Sequence, residues 1–178
     1  KQEKIIWEEI DIFKTQNINI IKMAVSLTHV LFLDDTGIVW GCGSGENLGM
    51  GEISEDGSTI YTPKQIGYFM DNEIKIIDIK CGASHSLVLS NDGQVFSWGD
   101  NDKGKCGQDE EKVYYVPKPI QLFDDFSVDR IDCGQTHSYV GTQCGRHYLF
   151  GDNDVIKEKC DDAKSIVEVI PGWYNTKI

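Results

Sequence analysis

The sequence predicts an all-β chain built as a partial β-propeller, and three observations predict it. The first is an internal repeat. Ile79-Lys80-Cys81-Gly82-Ala83-Ser84-His85-Ser86 returns 52 residues later as Ile131-Asp132-Cys133-Gly134-Gln135-Thr136-His137-Ser138, and the same offset relates Gly93 to Gly145, Trp98 to Phe150, Gly99 to Gly151, Asp100 to Asp152 and Asn101 to Asn153. A third copy lies 56 residues upstream, with His29, Leu33, Gly37, Val39 and Gly43 at the positions of His85, Leu89, Gly93, Val95 and Gly99. A fourth opens at Val169 to Thr176, where Gly172 matches Gly82 and Asn175 replaces the histidine. The second observation is that each unit reads as short strands and turns, with no sustained helical period. The third is physical: one four-stranded sheet of this size cannot bury both faces, and stacking such sheets radially around a shaft does.

The second copy shows the elements in order. Pro63-Lys64-Gln65-Ile66 begins an outer strand, where a proline is tolerated. Tyr68 to Glu73 has room for a turn of helix. Ile74 to Ile79 alternates apolar and polar for part of its length and reads as a strand. Ser86-Leu87-Val88-Leu89 and Val95-Phe96-Ser97-Trp98 are two strands joined by the turn signal Asn91-Asp92-Gly93, which makes a hairpin. The outer marker recurs as Pro117-Lys118-Pro119-Ile120. The units therefore run over about 10–62, 63–116, 117–165 and 166–178 onward, the last interval being short and lacking the marker.

With 178 residues, 40% of them hydrophobic, the chain can form a sizeable core. Its formal charge of −12 and its lack of basic runs oppose binding of a phosphate backbone, so nucleic acid is not the expected partner. Ile18 to Val25 and Val30 to Leu33, the strongest apolar stretches, are too short to span a bilayer. Cysteines 42, 81, 106, 133, 144 and 160 include no Cys-x-x-Cys pair and read as buried free thiols, which favours an intracellular location, cytoplasmic or nuclear. The chain starts at Lys1 without a signal-peptide pattern and reads as part of a longer polypeptide.

Candidate sites are weighed against structural roles. His29, His85 and His137 occupy one repeat position, and each is expected to fix its loop by hydrogen-bonding backbone groups. Gly82, Gly134, Gly99, Gly151, Gly93, Gly145 and, in the fourth copy, Gly172 read as turn and bulge residues. Gly41-Cys42-Gly43-Ser44-Gly45 lacks the Lys and Ser/Thr of a phosphate loop. Asp100-Asn101-Asp102-Lys103-Gly104 lacks the turn glycine of a calcium loop, and its Asp-Asn recurs as Asp152-Asn153, a repeat feature. No cofactor or metal is expected. Asp34-Asp35, Asp109-Glu110-Glu111, Asp124-Asp125 and Asp161-Asp162 read as solvated loop surface whose summed field would steer a basic partner.

The pattern Ile-x-Cys-Gly-x-x-His-Ser, followed by Leu-x-x-x-Gly-x-Val-Phe-x-Trp-Gly-x-Asn-x-x-Gly-x-x-Gly over residues 79–107, resembles the regulator-of-chromosome-condensation repeat. The family favours a closing Gly-Gln-Leu-Gly, where this chain has Gly104-Lys105-Cys106-Gly107. The resemblance implies a seven-bladed propeller, of which this chain supplies about three and a half units; two copies closing one ring is the alternative to a longer polypeptide. It also implies that residues of the Gly-x-x-His loops, Asn175 included, can face a partner protein. The expected function is a protein–protein interaction module acting as scaffold or regulatory subunit, non-catalytic in itself. The alternatives are a guanine-nucleotide exchange factor for a Ran-like small GTPase, for which the polar stretch Glu52 to Thr62 is the candidate wedge loop, and a structural component of a large cytoskeletal or ciliary assembly.

Overall fold

In the computed structural model, residues 10–51 and 59–151 are described. They form three antiparallel sheets in chain order. The first sheet holds β1 (Ile20–Val25), β2 (His29–Asp34), β3 (Val39–Ser44) and β4 (Thr59–Gln65). The second holds β5 (Ile76–Cys81), β6 (His85–Ser90), β7 (Val95–Asp100) and β8 (Val113–Pro119), and the third β9 (Val128–Cys133), β10 (His137–Thr142) and β11 (His147–Gly151). β1 and β2 lie against β5, and β5 and β6 lie against β9, so the sheets stack face to face as propeller blades do. Among the described residues no helix is long and apolar enough to cross a membrane.

Alternation places the core. On the first sheet Leu31, Leu33 and Val39 point toward the second, where Ile79, Val88, Phe96 and Trp98 meet them. On the second sheet Leu87, Leu89 and Val95 point toward Ile131, Val140, Tyr148 and Phe150 of the third. Adjacent residues of one strand thus serve two different cores, because successive side chains of a strand leave on opposite faces. Burial on both sides explains why β6 is buried along its whole length.

Each innermost strand carries a one-residue irregularity: the pairing skips Ile21 in β1, Ile77 in β5 and Asp129 in β9. The outer strands skip too, between Ile60 and Lys64 and between Tyr114 and Lys118. Pro63 and Pro117 fall inside these gaps, where a residue without an N–H costs the ladder nothing. Pro63 therefore lies within its strand rather than at its start, and Thr59 to Thr62, expected as loop, belong to β4. The limits expected for the repeat units, at 62/63 and 116/117, fall inside β4 and β8, so sheet and repeat are out of phase by part of a strand.

The helical turn expected near Tyr68 is α2 (Gly67–Asp71). A second short helix, α1 (Asp11–Thr15), has no counterpart in the sequence reading, because five residues without side-chain caps carry no local signal. Its role is tertiary. Phe13 meets Phe32 and Trp40 at 5.0 and 5.7 Å, as Phe69 of α2 meets Phe96 and Trp98 at 5.6 and 5.9 Å. Phe123, in a 3-10 turn, meets Tyr148 at 5.1 Å in the same way.

Candidate functional site: the joints between sheets

The repeat histidines begin the second strand of each sheet, and each pairs across the hairpin with a glycine: His29 with Gly43, His85 with Gly99, His137 with Gly151. These glycines have φ of 119°, 96° and 128°. A Cβ there would sit 2.4, 2.4 and 2.2 Å from the carbonyl oxygens of Thr28, Ser84 and Thr136. Positive φ and the close backbone approach together demand glycine.

That geometry turns the histidine toward the neighbouring sheet. His29 Nε2 lies 2.7 Å from Ser86 Oγ, and His85 Nε2 lies 2.9 Å from Ser138 Oγ. Each histidine therefore bonds the serine that follows the next repeat's histidine. The expectation of backbone partners is corrected: the bond is to a side chain of the next sheet, and it staples two sheets together. Ser138 Oγ donates onward to the Lys105 carbonyl at 2.7 Å, so His85 Nε2 must carry the proton it donates. Ser26 Oγ already accepts from the Thr28 and His29 N–H groups, so it donates its proton to His29 Nδ1 at 2.9 Å, which sets the same tautomer. His85 Nδ1 is buried without a partner, because Gly82 stands where Ser26 stands in the first repeat. Burial lowers the His29 pKa to about 4. Burial, assisted by the charges of Lys105 and His29, lowers that of His85 to about 3. Both imidazoles are neutral at physiological pH and serve as hydrogen-bonding groups. His137 Nδ1 lies 3.1 Å from Thr136 Oγ1.

Further contacts repeat at each joint. Trp98 Nε1 donates to the Asn47 carbonyl at 2.8 Å, and its indole lies against Gly49. Phe150 takes the same place against Gly107. The inner strands are bridged by Lys22–Asp78 and by Lys80–Asp132, the latter at 3.6 Å.

Asp100 and Asn101 organise the loop after β7. Burial opposes ionisation of Asp100, but the Lys105 ammonium at 2.6 Å and the Asp102 N–H outweigh it and hold its carboxyl below the usual range. Asn101, fully buried, donates to the Gln108 and Glu110 carbonyls and accepts from the Cys106 N–H. These bonds occupy the side chains that a calcium loop would aim at an ion. Of Gly41 to Gly45, the stretch compared with a phosphate loop, the first four residues belong to strand β3 and Gly45 opens a 3-10 turn. Gly93 and Gly145 have φ of 89° and 83° in hairpin turns. Gly134 does not need to be glycine, since a Cβ there meets nothing closer than 3.9 Å, whereas one at Gly82 would sit 2.0 Å from the His85 ring. Asp152, Asn153, Gly172, Asn175, Cys160 and Asp161-Asp162 lie outside the described residues, as does most of the candidate wedge loop.

Two sequence expectations change. Asp34 is buried, not solvated: its carboxylate accepts from the Thr36 and Ile38 N–H groups, the Thr36 hydroxyl and the Trp40 indole. Ser90 and Thr142 brace the equivalent turns. Of the five described cysteines, all free, Cys106 and Cys133 are buried but Cys144 is exposed at a hairpin tip. Burial raises the Cys81 and Cys106 thiols to about 12, which makes them packing groups rather than nucleophiles. Sequence reasoning missed the partners of the histidines, although Ser86 and Ser138 were visible as an identical position.

The sequence profile of the regulator of chromosome condensation (RCC1) repeat matches residues 36–89 and 92–140, more than half of the chain. The chain is 38% identical over 115 residues to the probable E3 ubiquitin-protein ligase HERC6 of Homo sapiens, covering 64% of this chain and 11% of that protein. It is 30% identical over 145 residues to the guanine nucleotide exchange factor SRM1 of Saccharomyces cerevisiae, covering 78% of this chain and 29% of that protein. Human WBSCR16 superposes on it with a TM-score of 0.65 at 25% identity, over 74% of this chain and 33% of that one. The chain thus spans less than a third of the length of either curated relative. With the repeat, the stacked antiparallel sheets and these likenesses in agreement, the chain belongs to the RCC1 repeat family and forms part of a β-propeller.

Proposed function

We propose that this chain is a protein–protein interaction module, a scaffold or regulatory part of a larger RCC1-type propeller. One observation carries the reading. Two of the three repeat histidines, His29 and His85, the obvious chemical candidates, spend their Nε2–H groups on serines of the adjacent sheets. They hold the platform, and recognition is left to the loops at the two ends of the sheets. The Asp35, Asp109-Glu110-Glu111 and Asp124-Asp125 side chains on those loops are exposed. In a chain of net charge −12 they favour a partner with a basic face. The free thiols fit a reducing, intracellular setting.

A second reading, exchange on a Ran-like GTPase, rests on the likeness to SRM1. Following release of a fluorescent nucleotide from a Ran-type GTPase at micromolar protein separates the two. The module reading expects no acceleration together with retention of a protein partner on immobilised chain, weakened at raised salt. Accelerated release would replace it with the exchange reading, and retention indifferent to salt would remove the electrostatic part.

A further inference from the structure

The geometry points to a peptide-docking groove on the rim of the second sheet, one that takes an apolar side chain of a partner protein together with an acidic neighbour. The groove, of about 700 Å3, runs over Tyr114 of β8 between Tyr68 of α2 and Leu122 of the 3-10 turn that follows β8. Tyr114 forms the floor; it is 6% exposed, and its Oη donates to the Glu110 carbonyl at 3.3 Å. Val116 and Leu122 line the groove at 40% and 56% exposure. The groove is not a feature of the repeat. The pairing register sets Ile60, Thr62 and Gln65 of β4 at the positions of Tyr114, Val116 and Pro119. It belongs to the second sheet, and the stacking of sheets does not account for it. An exposed apolar surface rimmed by charged groups is the mark of a contact site.

The occupant's chemistry follows from the walls. Backbone pairing is largely closed to it. Pro117 and Pro119 bring no N–H, Gln108 Nε2 donates to the Lys118 and Pro119 carbonyls at 3.4 and 3.2 Å, and the Gly51 N–H donates to the Tyr115 carbonyl at 2.9 Å. Recognition therefore falls to side chains. Lys112 and Lys118 set their ammonium groups 5.3 and 5.1 Å from the centre of the Tyr114 ring. Lys112 is ion-paired with Glu110, Lys118 adds its charge from further off, and the two hold the Glu110 carboxyl below its usual range. The chain's own Glu110 thus shows that a carboxylate is received beside this ring, and Lys118 is left to receive another. A basic segment would meet two ammonium groups. A polyanion would meet Asp109, Glu110 and Glu111, all exposed on the same loop. One acid next to one branched apolar residue matches the ammonium and the apolar seat. The inference rests on the interaction-module reading only in requiring a protein partner.

Fluorescence anisotropy with the full chain tests it. The probes are labelled octapeptides that share a central Pro-Leu and differ in flanking it with Glu, Gln or Lys. The Glu peptide should bind about tenfold more tightly than the Gln peptide, and the Lys peptide should be the weakest. Lys118→Gln should abolish that preference, and Leu122→Asp should weaken every probe. Glu110→Gln, which releases Lys112, should tighten the Glu peptide. All three positions are exposed, so the substitutions leave the core intact. Equal affinities, a preference for the Lys peptide, a preference that survives Lys118→Gln, or no binding at about 1 mM chain overturns the proposal. Weaker binding of the Glu peptide to Glu110→Gln would overturn the place given to the acid. The probes carry no basic face, so failure here leaves the salt-sensitive retention of a basic partner standing, and loss of that retention leaves this groove standing.

Discussion

The first and second joints are built from the same repeat positions, yet they are bonded differently. Between the first two sheets His29 has both ring nitrogens satisfied, by Ser86 and Ser26, and Trp98 adds an indole hydrogen bond to the Asn47 carbonyl. Between the second and third, His85 has one nitrogen without a partner, and Phe150 fills the tryptophan's place with no donor. The Lys105 carbonyl compensates there by accepting from Ser138. What recurs is the direction of the staple and the shape of the aromatic plug. The hydrogen-bond inventory is free to drift, because a net hydrogen bond contributes only about 1 kcal/mol and an aromatic side chain buried in a well-packed joint contributes more.

Acidification should produce the largest response, and it separates the joints. Both histidines titrate lower when folded than when unfolded, so the stability they give by staying neutral is complete above the unfolded value of about 6.5 and is lost as pH falls through about 4 for His29 and about 3 for His85. Each should withdraw about 1.4 kcal/mol per pH unit inside its window. Denaturant unfolding between pH 7 and pH 4.5 should show a slope of two protons, reduced to one in His29→Gln. A flat profile would mean that the imidazoles are hydrated in the folded state.

Trp98→Ala should cost about 3–5 kcal/mol, and Trp98→Phe, which copies the second joint into the first, about 1–3 kcal/mol from the stranded Asn47 carbonyl. Urea midpoints of the two variants decide whether packing or the indole bond dominates. Gly82→Ala should cost about 1–3 kcal/mol by overpacking the His85 ring, while Gly134→Ala should stay within about 0.5 kcal/mol. Equal thermal shifts for the two would show that the joints are more alike than their geometry. The smallest difference concerns the serines. Ser138→Ala strands the His85 N–H and loses the Lys105 bond, and should exceed Ser86→Ala by about 1 kcal/mol; a double-mutant cycle of Ser86 with His29, and of Ser138 with His85, measures each staple directly.

How far the sequence was legible depends on how local each signal was. The β6–β7 hairpin was readable because two short apolar strands and the Asn91-Asp92-Gly93 turn lie within a few residues, and β10–β11 followed from it by the repeat. Gly99 and Gly151 were marked by repetition, though their steric cause lies across the hairpin in the Ser84 and Thr136 carbonyls. Asp34 looked like a solvated acid because nothing in Asp34-Asp35 says which side chain turns inward to meet Trp40. The helix α1 was invisible, since only the contact of Phe13 with Phe32 and Trp40 gives it a reason to form.

The sequence by itself determined the repeat and the strand order within a unit, because strand-forming runs and turn chemistry are properties of neighbouring residues. Only the tertiary structure decided what the histidines do. A hydrogen bond from His29 to Ser86 spans 57 positions of chain, and it exists because stacking sets β2 against β5, whose Cys81 pairs with Ser86. The same stacking made Ile79 core and left Met23, its counterpart one repeat earlier, exposed: burial of an apolar side chain depends on the sheet that arrives opposite it.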